Sequence, residues 1–276
     1  MVPPQGFPMM SGIFFHCALA LYGASAVIYS AYLFKDEPPQ AKWAHRLVSI
    51  GFVAHLLSII HRFVLAGQFP VATMRDSLSL FCLTIVGTFI YFERTHKAPI
   101  LGAFVAPPLL LIMIVTETLP EEIRPMSPIL FSRWFWVHAP VAFVSYAAFA
   151  ITGVTSAIYL IQERFLRKKR FGGLFRRLPP LETMDAISYR CLAIGVIFLS
   201  VALLSGCVWS QQTMGHFWNW SDSKQVWSLI TWAVYAALLC GRLTRGWRGR
   251  RVALLSIAGF ILLLITFIGA KHSVTW

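Results

Sequence analysis

Charged residues are scarce in this sequence: they make up 13% of its 276 residues, whereas hydrophobic residues make up 57%. A soluble domain has about 25% charged and about 45–50% apolar residues, so the composition excludes an ordinary soluble enzyme. Catalytic signatures are missing as well. There is no Gly-rich phosphate loop, no nucleophile elbow and no His-Glu-x-x-His zinc helix, which leaves hydrolase and nucleotide-driven pump functions without support.

Cysteines are few, odd in number and spread through apolar stretches. The five are Cys17, Cys82, Cys191, Cys207 and Cys240. This distribution indicates neither a disulfide framework nor a zinc site. Because no Cys-x-x-Cys-His occurs, the chain is not itself a c-type cytochrome.

Long apolar stretches are what the sequence does contain. Each is about 20 residues or more in length, enough to cross a hydrocarbon core of about 30 Å as a helix. The predicted spans are residues 11–34, 44–66, 76–93, 98–116, 134–162, 186–210, 224–243 and 251–270. Because lipid offers no partner for an open backbone, all of them must be helices. The sequence therefore predicts an all-α, polytopic integral membrane helix bundle of about eight transmembrane helices, forming a single domain over residues 1–276.

The formal net charge of +13 is unevenly distributed between the two sides of the predicted spans. Of the 24 Lys and Arg residues, 18 fall on one side and the remaining six on the other. By the positive-inside rule the richer side is cytoplasmic, which places both termini and the loops 67–75, 117–133 and 211–223 on the outer side. We therefore attribute the basic balance to topology in a lipid bilayer and expect no nucleic-acid partner. The predicted location is the inner (cytoplasmic) membrane of the cell, as a multi-pass protein.

Eight histidines in such an apolar chain are the main functional lead, because an ionisable ring at membrane depth is costly unless it is paired or ligated. His138 begins the fifth span and His272 follows the eighth, so both are expected at the outer surface, where they could be neighbours. His55 lies near the middle of the second span and can share an inward face with His61 and Arg62. It is either a buried imidazole hydrogen-bonded to a neighbouring helix or a haem ligand. With His61 it could also serve a b-type electron-transfer anchor, although both histidines lie on one helix.

A tryptophan-rich segment, FWNWSDSKQVWSLITW, follows His216 in the last outer loop. A single interfacial Trp is usually a membrane-belt anchor, but this segment is denser than a belt requires. A flat aromatic surface beside two or three imidazoles suits a large planar ligand that holds iron, and haem fits that description.

The run from Leu181 to Arg242 resembles the signature region of the CcsA/ResC cytochrome c assembly proteins. In that family a helix ending in Gly-x-x-Trp leads to a Trp-rich outer loop, here about 209–227, and to a helix that begins Lys-Glu-x-Trp. GQFPVATMRDSLSLF, LGAFVAP and SRWFWVHAPVAFVSYA also match the family, and the resemblance spans roughly residues 50–276.

The resemblance implies that the whole chain is one transmembrane cytochrome c assembly domain that delivers haem to the outer face for thioether attachment to apocytochrome c. The haem would be b-type, held non-covalently or in transit. His138 and His272 correspond to the family's outer ligands of haem iron, and His55 to one ligand of its intramembrane site. The tryptophan motif that cradles the macrocycle corresponds to Trp218, Trp220, Asp222 and Trp227. The family's usual companion, a ResB/Ccs1-like membrane protein, is expected as a partner, with the chain as the CcsA-like subunit of a haem lyase (synthase).

Two departures from the family pattern leave alternatives open. The family's Trp-Asp-Pro-Lys-Glu reads here Trp220-Ser221-Asp222-Ser223-Lys224-Gln225, with an additional residue. Cys240 stands where the family has a second intramembrane histidine. Either Cys240 is a softer ligand, or His61 substitutes, or the inner site is degraded. The same departures favour the alternative function of a non-catalytic, HemX-like membrane scaffold or regulator.

Overall fold

The computed structural model describes residues 8–34, 38–67, 69, 71, 73–121 and 132–269. Within these ranges the chain forms nine α-helices. They are α1 (Pro8–Tyr32), α2 (Pro38–Ala66), α3 (Met74–His96), α4 (Ile100–Thr118), α5 (Arg133–Arg167), α6 (Gly173–Arg177), α7 (Leu181–Met214), α8 (Ser223–Arg245) and α9 (Arg250–Leu264), the last continued by a π-helical turn, Ile265–Gly269. All but the short α6 are long and apolar enough to cross a membrane, which confirms the predicted eight spans.

Several helices extend beyond their predicted spans. The sixth span, predicted as 186–210, is α7 (Leu181–Met214). Its first turn holds Glu182, and its last turns hold Gln211 and Gln212. Polar side chains are stable in a helix once it reaches the aqueous boundary, so the apolar window marks only the part of the helix that lipid requires.

The helices group into two compact units. Unit 1 contains residues 1–126 and 172–178, and unit 2 contains residues 127–171 and 179–276. Unit 1 is built from α1 to α4 with α6, and unit 2 from α5 and α7 to α9. The assignment of residues 1–276 to one domain, and the outer position of both termini, stay predictions.

Unit 1 has a cluster of charged side chains at each of the two ends of its helices. At one end Arg62 pairs with Asp76 at 2.8 Å, and Arg75 pairs with the Glu117 carboxylate at 3.0 Å. Arg75 also donates to the main-chain carbonyls of Glu117 and Leu119, so the end of α4 is tied to the start of α3. Arg75 is buried and Arg62 is largely buried, and both guanidinium groups have carboxylate partners, as a charge removed from water requires.

The opposite end of unit 1 holds a second polar chain that links α1, α2 and α3. Tyr29 donates to Glu93 at 2.6 Å, and His45 Nδ1 lies 2.6 Å from the other carboxylate oxygen. Arg94 donates to His45 Nε2 at 2.8 Å. Since an arginine can only donate, Nε2 is the acceptor and Nδ1 carries the proton that His45 donates to Glu93.

Unit 2 is held together by close contact of α5 with α7 and α8. Ser145 on α5 donates to the Gly195 carbonyl on α7 at 2.8 Å. Phe149 stacks on Tyr235 of α8 with ring centroids 3.8 Å apart. These contacts fix α5 against α7, and the candidate site lies between those two helices and the start of α8.

Candidate functional site

His138 lies in the second turn of α5 and faces α7. Its Nδ1 is 2.8 Å from the main-chain carbonyl oxygen of Ala202. Because a carbonyl only accepts, Nδ1 carries the proton and Nε2 carries the lone pair. A histidine that binds a metal commonly donates its other ring nitrogen to a carbonyl in this way, which fixes both tautomer and ring orientation.

Two residues of the Gly-x-x-Trp sequence hold the His138 ring in place. Gly206 lies one helical turn after Ala202, and a Cβ atom there would be 3.0 Å from both Nδ1 and Cε1 of His138. Only glycine lets the ring approach α7 this closely without displacement. Trp209 stacks on the imidazole, with centroids 6.0 Å apart and planes inclined by 27°.

A cavity, with about 550 Å³ of empty space when its opening is included, lies against His138. Its walls are mostly apolar or aromatic and come from α5, α7, the 215–222 loop and α8. The polar or aromatic residues among them are His138, Tyr146, Cys207, Trp209, Trp218, Lys224, Gln225 and Ser228. An apolar cavity with a few convergent polar groups is the usual form of a ligand site.

The cavity contains a buried donor that the described residues leave unsatisfied. Trp218 Nε1 is buried and makes no hydrogen bond to any residue in the part of the chain that the structure describes. Lys224, whose side-chain nitrogen can donate hydrogen bonds, lines the same cavity. A planar, iron-containing ligand with carboxylate groups would find an imidazole for the metal, indole faces for the ring, and two donors for the carboxylates. The residues present therefore fit haem.

The other members of the predicted tryptophan motif have different surroundings. Trp220 is 74% exposed and meets Trp218 edge-on, with ring centroids 5.7 Å apart. Trp227 lies on α8 and is 37% exposed. Trp218 thus lines the cavity, whereas most of the Trp220 surface faces outward.

Asp222 is fully buried and caps the start of α8. Its Oδ1 accepts from the main-chain N–H of Gln225 at 3.0 Å. The Gln225 side chain accepts in turn from the main-chain N–H of Asn219 at 2.9 Å. This arrangement is close to a capping box, and it fixes the loop between α7 and α8 on which Trp218 and Trp220 are carried. A contact of Asp222 with haem stays a prediction.

His55 is buried in unit 1 with both ring nitrogens in hydrogen-bonding contact. Nε2 lies 2.9 Å from Ser79 Oγ, and Nδ1 lies 3.4 Å from Tyr22 Oη. This geometry is that of a buried imidazole satisfied by neighbouring helices, one of the alternatives considered above. Iron ligation by His55 stays a prediction, and it would require one of these contacts to be given up.

The predicted partner of His138, His272, lies outside the described residues. Cys240, on α8, is an exposed free thiol. His216 lies in the loop after α7, where Ser210 Oγ donates to its carbonyl at 2.8 Å and lies 3.3 Å from its Nδ1. His216 is thereby held next to the end of α7.

Sequence reasoning did not connect four of these features to His138: the Ala202 carbonyl, Gly206, Trp209 and Lys224. Gly206 and Trp209 belong to the Gly-x-x-Trp sequence quoted above, and that motif was the available signal. A main-chain carbonyl has no signature in sequence. The sequence gives no sign that Lys224 differs from an ordinary interfacial lysine, because its place in the cavity depends on how the helices pack.

Comparison with known proteins points to one family. Over residues 43–274 the sequence matches the family described as "Cytochrome C assembly protein". It is similar to the "Cytochrome c biogenesis protein CcsA" of Prochlorococcus marinus (strain NATL2A), with 33% identity over 84% of this chain and 85% of that protein. The protein of the same name from Synechococcus sp. (strain CC9605) is 32% identical over 83% of this chain and 86% of its own length. That of Guillardia theta is 31% identical over 78% and 79%.

The fold is also similar to a solved structure titled "Cytochrome c Heme Lyase CcmF". The two align with a TM-score of 0.70 and 16% identity over 98% of this chain. This chain spans half the length of that lyase chain. At this identity the likeness establishes a shared fold.

Proposed function

This chain belongs to the cytochrome c assembly protein family and is a multi-pass membrane protein of cytochrome c biogenesis; we propose that it binds haem and presents it for attachment to apocytochrome c. The observation that carries the proposal is the cavity against His138. There an oriented imidazole, an unsatisfied indole N–H and a lysine converge in apolar surroundings.

His138 is proposed to bind the haem iron through Nε2. The Ala202 carbonyl holds the proton on Nδ1, so the lone pair of Nε2 is the one that can be given to a metal. His272 is proposed as the second iron ligand, on the resemblance alone. With two protein imidazoles the iron would be held without a covalent bond to the macrocycle.

Trp218 and Lys224 are proposed to receive the carboxylate edge of haem, since both are donors that face the cavity. Trp220 and Trp227 are proposed to contact the exposed part of the macrocycle. Asp222 would act indirectly by holding the loop and the start of α8. The contribution of the chain is then positional: haem is held in one orientation while a second protein approaches.

Haem is the substrate in this scheme. Each thioether forms when a cysteine S–H of apocytochrome c adds across a haem vinyl group, with no leaving group. That addition belongs to haem and thiol, and the chain would supply proximity and orientation. A ResB/Ccs1-like membrane protein is proposed as the partner that completes the synthase, and the inner (cytoplasmic) membrane as the location.

The direct test is haem content. The full-length protein is purified in parallel with His138→Ala, His272→Ala and the double variant, and haem is measured as the reduced pyridine complex. His216→Ala is the matched control, because this histidine lies in the loop that carries Trp218 but does not line the cavity. We expect the double variant to lose haem and the control to keep it. Unchanged haem in the double variant would overturn the proposal.

A deletion strain separates this function from that of a HemX-like scaffold. Loss of covalent haem staining in c-type cytochromes, restored by the wild-type chain and not by the double variant, supports haem delivery. Normal c-type cytochromes in the deletion strain would favour the scaffold.

A further inference from the structure

Unit 2 contains a second cavity, which shares no lining residue with the first. It is an open cavity, with about 1,250 Å³ of empty space when its opening is included, and it lies where α7 begins, where α8 ends and where α9 begins. These helix ends carry the basic residues of the predicted cytoplasmic side. The cavity therefore lies at the level where a span leaves the hydrocarbon core and meets lipid headgroups.

A buried arginine lines this cavity. The Arg242 side chain is 6% exposed, and its Nη2 pairs with Asp185 at 2.7 Å. The guanidinium carbon lies 5.0 Å from the centroid of the Tyr189 ring. Nη1 is buried and has no hydrogen-bond partner within the described ranges. Because an unsatisfied guanidinium N–H is costly in such surroundings, it points to an acceptor that the described residues do not supply.

The charges of the lining are balanced. Arg242 and Arg248 contribute two positive charges, and Glu182 and Asp185 contribute two negative charges. A simple anion would be opposed by the carboxylates, and a simple cation by the guanidinium groups. A zwitterion whose phosphate faces the arginines and whose ammonium faces the carboxylates satisfies both pairs.

Aromatic side chains form the remaining walls of this cavity, and such side chains are enriched where a protein meets the membrane–water interface. Trp247 lies on Gly241, where a Cβ atom would be 2.5 Å from the indole Cε3, so the ring is held against the end of α8. Tyr189 covers the guanidinium group of Arg242. The described lining includes no histidine, cysteine or methionine, the residues that would bind haem iron most readily.

We infer that this cavity binds the headgroup of a phosphoethanolamine phospholipid. The phosphate accepts a hydrogen bond from Arg242 Nη1 and faces Arg248, while the primary ammonium donates to Glu182 and Asp185. The volume admits the headgroup and glycerol backbone, and the acyl chains continue along the apolar helices.

The test uses the full-length purified protein, stripped of lipid and offered equal amounts of phosphatidylethanolamine, phosphatidylglycerol and phosphatidylcholine, with native mass spectrometry as the readout. We expect one phosphatidylethanolamine to be retained in preference to the other two lipids. Arg242→Gln should lower that retention about tenfold, because a charge-assisted hydrogen bond is lost. Arg245→Gln, which changes an exposed arginine on the same helix outside the cavity, should retain the lipid as the wild type does.

Glu182→Gln keeps the test decisive if the Arg242 variant fails to fold. It removes one acceptor for the ammonium, so the preference should shift from phosphatidylethanolamine towards phosphatidylglycerol. Equal retention of the three lipids by the wild type, or unchanged retention in both variants, would show adventitious lipid and overturn the inference. Binding of soluble phosphoethanolamine with no retained phospholipid would also overturn it, by assigning the cavity to a water-soluble ligand.

Discussion

Replacing Gly206 with alanine should weaken haem binding without altering any proposed ligand. The added Cβ would lie 3.0 Å from Nδ1 and Cε1 of His138, whereas ordinary contacts begin at 3.4 Å, so the ring must retreat by about 0.4 Å. Ala202 lies one turn away on the same face of α7, so the same retreat lengthens its hydrogen bond to Nδ1. That distance would grow from 2.8 Å to about 3.2 Å, the long limit for N–H···O.

The expected loss of haem affinity follows from the weaker hydrogen bond between His138 Nδ1 and the Ala202 carbonyl. A neutral hydrogen bond contributes about 0.5–1.5 kcal/mol, and loss of the group that orients a ligating histidine commonly costs about 10- to 100-fold in metal affinity. We therefore expect Gly206→Ala to lower haem affinity about tenfold, and Gly206→Val to lower it further. The assay is titration of the haem-free protein with haem, followed by the Soret absorbance.

Gly23→Ala is the matched control, because the nearest atom to its added Cβ is Leu110 Cδ1 at 3.8 Å, an ordinary contact. Thermal unfolding in detergent, measured on both variants, separates a loss of haem from a loss of fold. Wild-type haem affinity in a folded Gly206→Ala variant would refute the idea that α7 positions His138 for the metal.

Three further substitutions test separate steps of the argument. Asp222→Ala should cost about 0.5–2 kcal/mol of stability and lower haem retention, whereas Asp222→Asn should keep both, because asparagine caps a helix as well as aspartate; equal loss in both variants would assign the carboxylate a direct role. Lys224→Met should lower haem affinity about tenfold or more in the same titration, whereas the control Lys42→Met, at an exposed lysine, should leave it unchanged. Wild-type haem affinity in Lys224→Met would exclude a lysine–carboxylate contact. Tyr29→Phe should lower thermal stability by about 1–3 kcal/mol while haem retention stays constant, because it removes a donor from the buried Glu93; unchanged stability would contradict this.

The transmembrane helices could be predicted from the sequence because the thickness of the hydrocarbon core fixes their length. Their ends could not be placed from hydropathy, since polar side chains such as Glu182 and Gln211 continue the helix where water is available. The cap at Asp222 was open to prediction, because an Asp followed three residues later by Gln is a capping pattern. The family resemblance instead assigned Asp222 to the motif that cradles the macrocycle.

The site itself was predicted only in part. The place of His138 near the start of a span could be predicted from hydropathy, but its ring is oriented by a carbonyl and a glycine of α7, which are more than 60 residues away in sequence. Which face of α5 meets which face of α7 is decided by packing, for example by Ser145 on the Gly195 carbonyl. Hydropathy and residue type carry little of that information.

The two cavities of unit 2 lie along one helix, α7, and their proposed ligands can be separated experimentally. Asp185 and Ala202 are 17 residues apart on α7, which at 1.5 Å per residue is about 26 Å, close to the thickness of the hydrocarbon core. The cavities therefore lie at different levels along α7, and each contains a buried donor, Trp218 Nε1 or Arg242 Nη1, that the described residues leave unsatisfied. Arg242→Gln should lose phosphatidylethanolamine and keep haem, whereas His138→Ala should lose haem and keep the lipid, because neither change reaches the other cavity. Loss of both ligands from either folded variant would mean that the cavities are coupled, and the assignment of one ligand to each would fail.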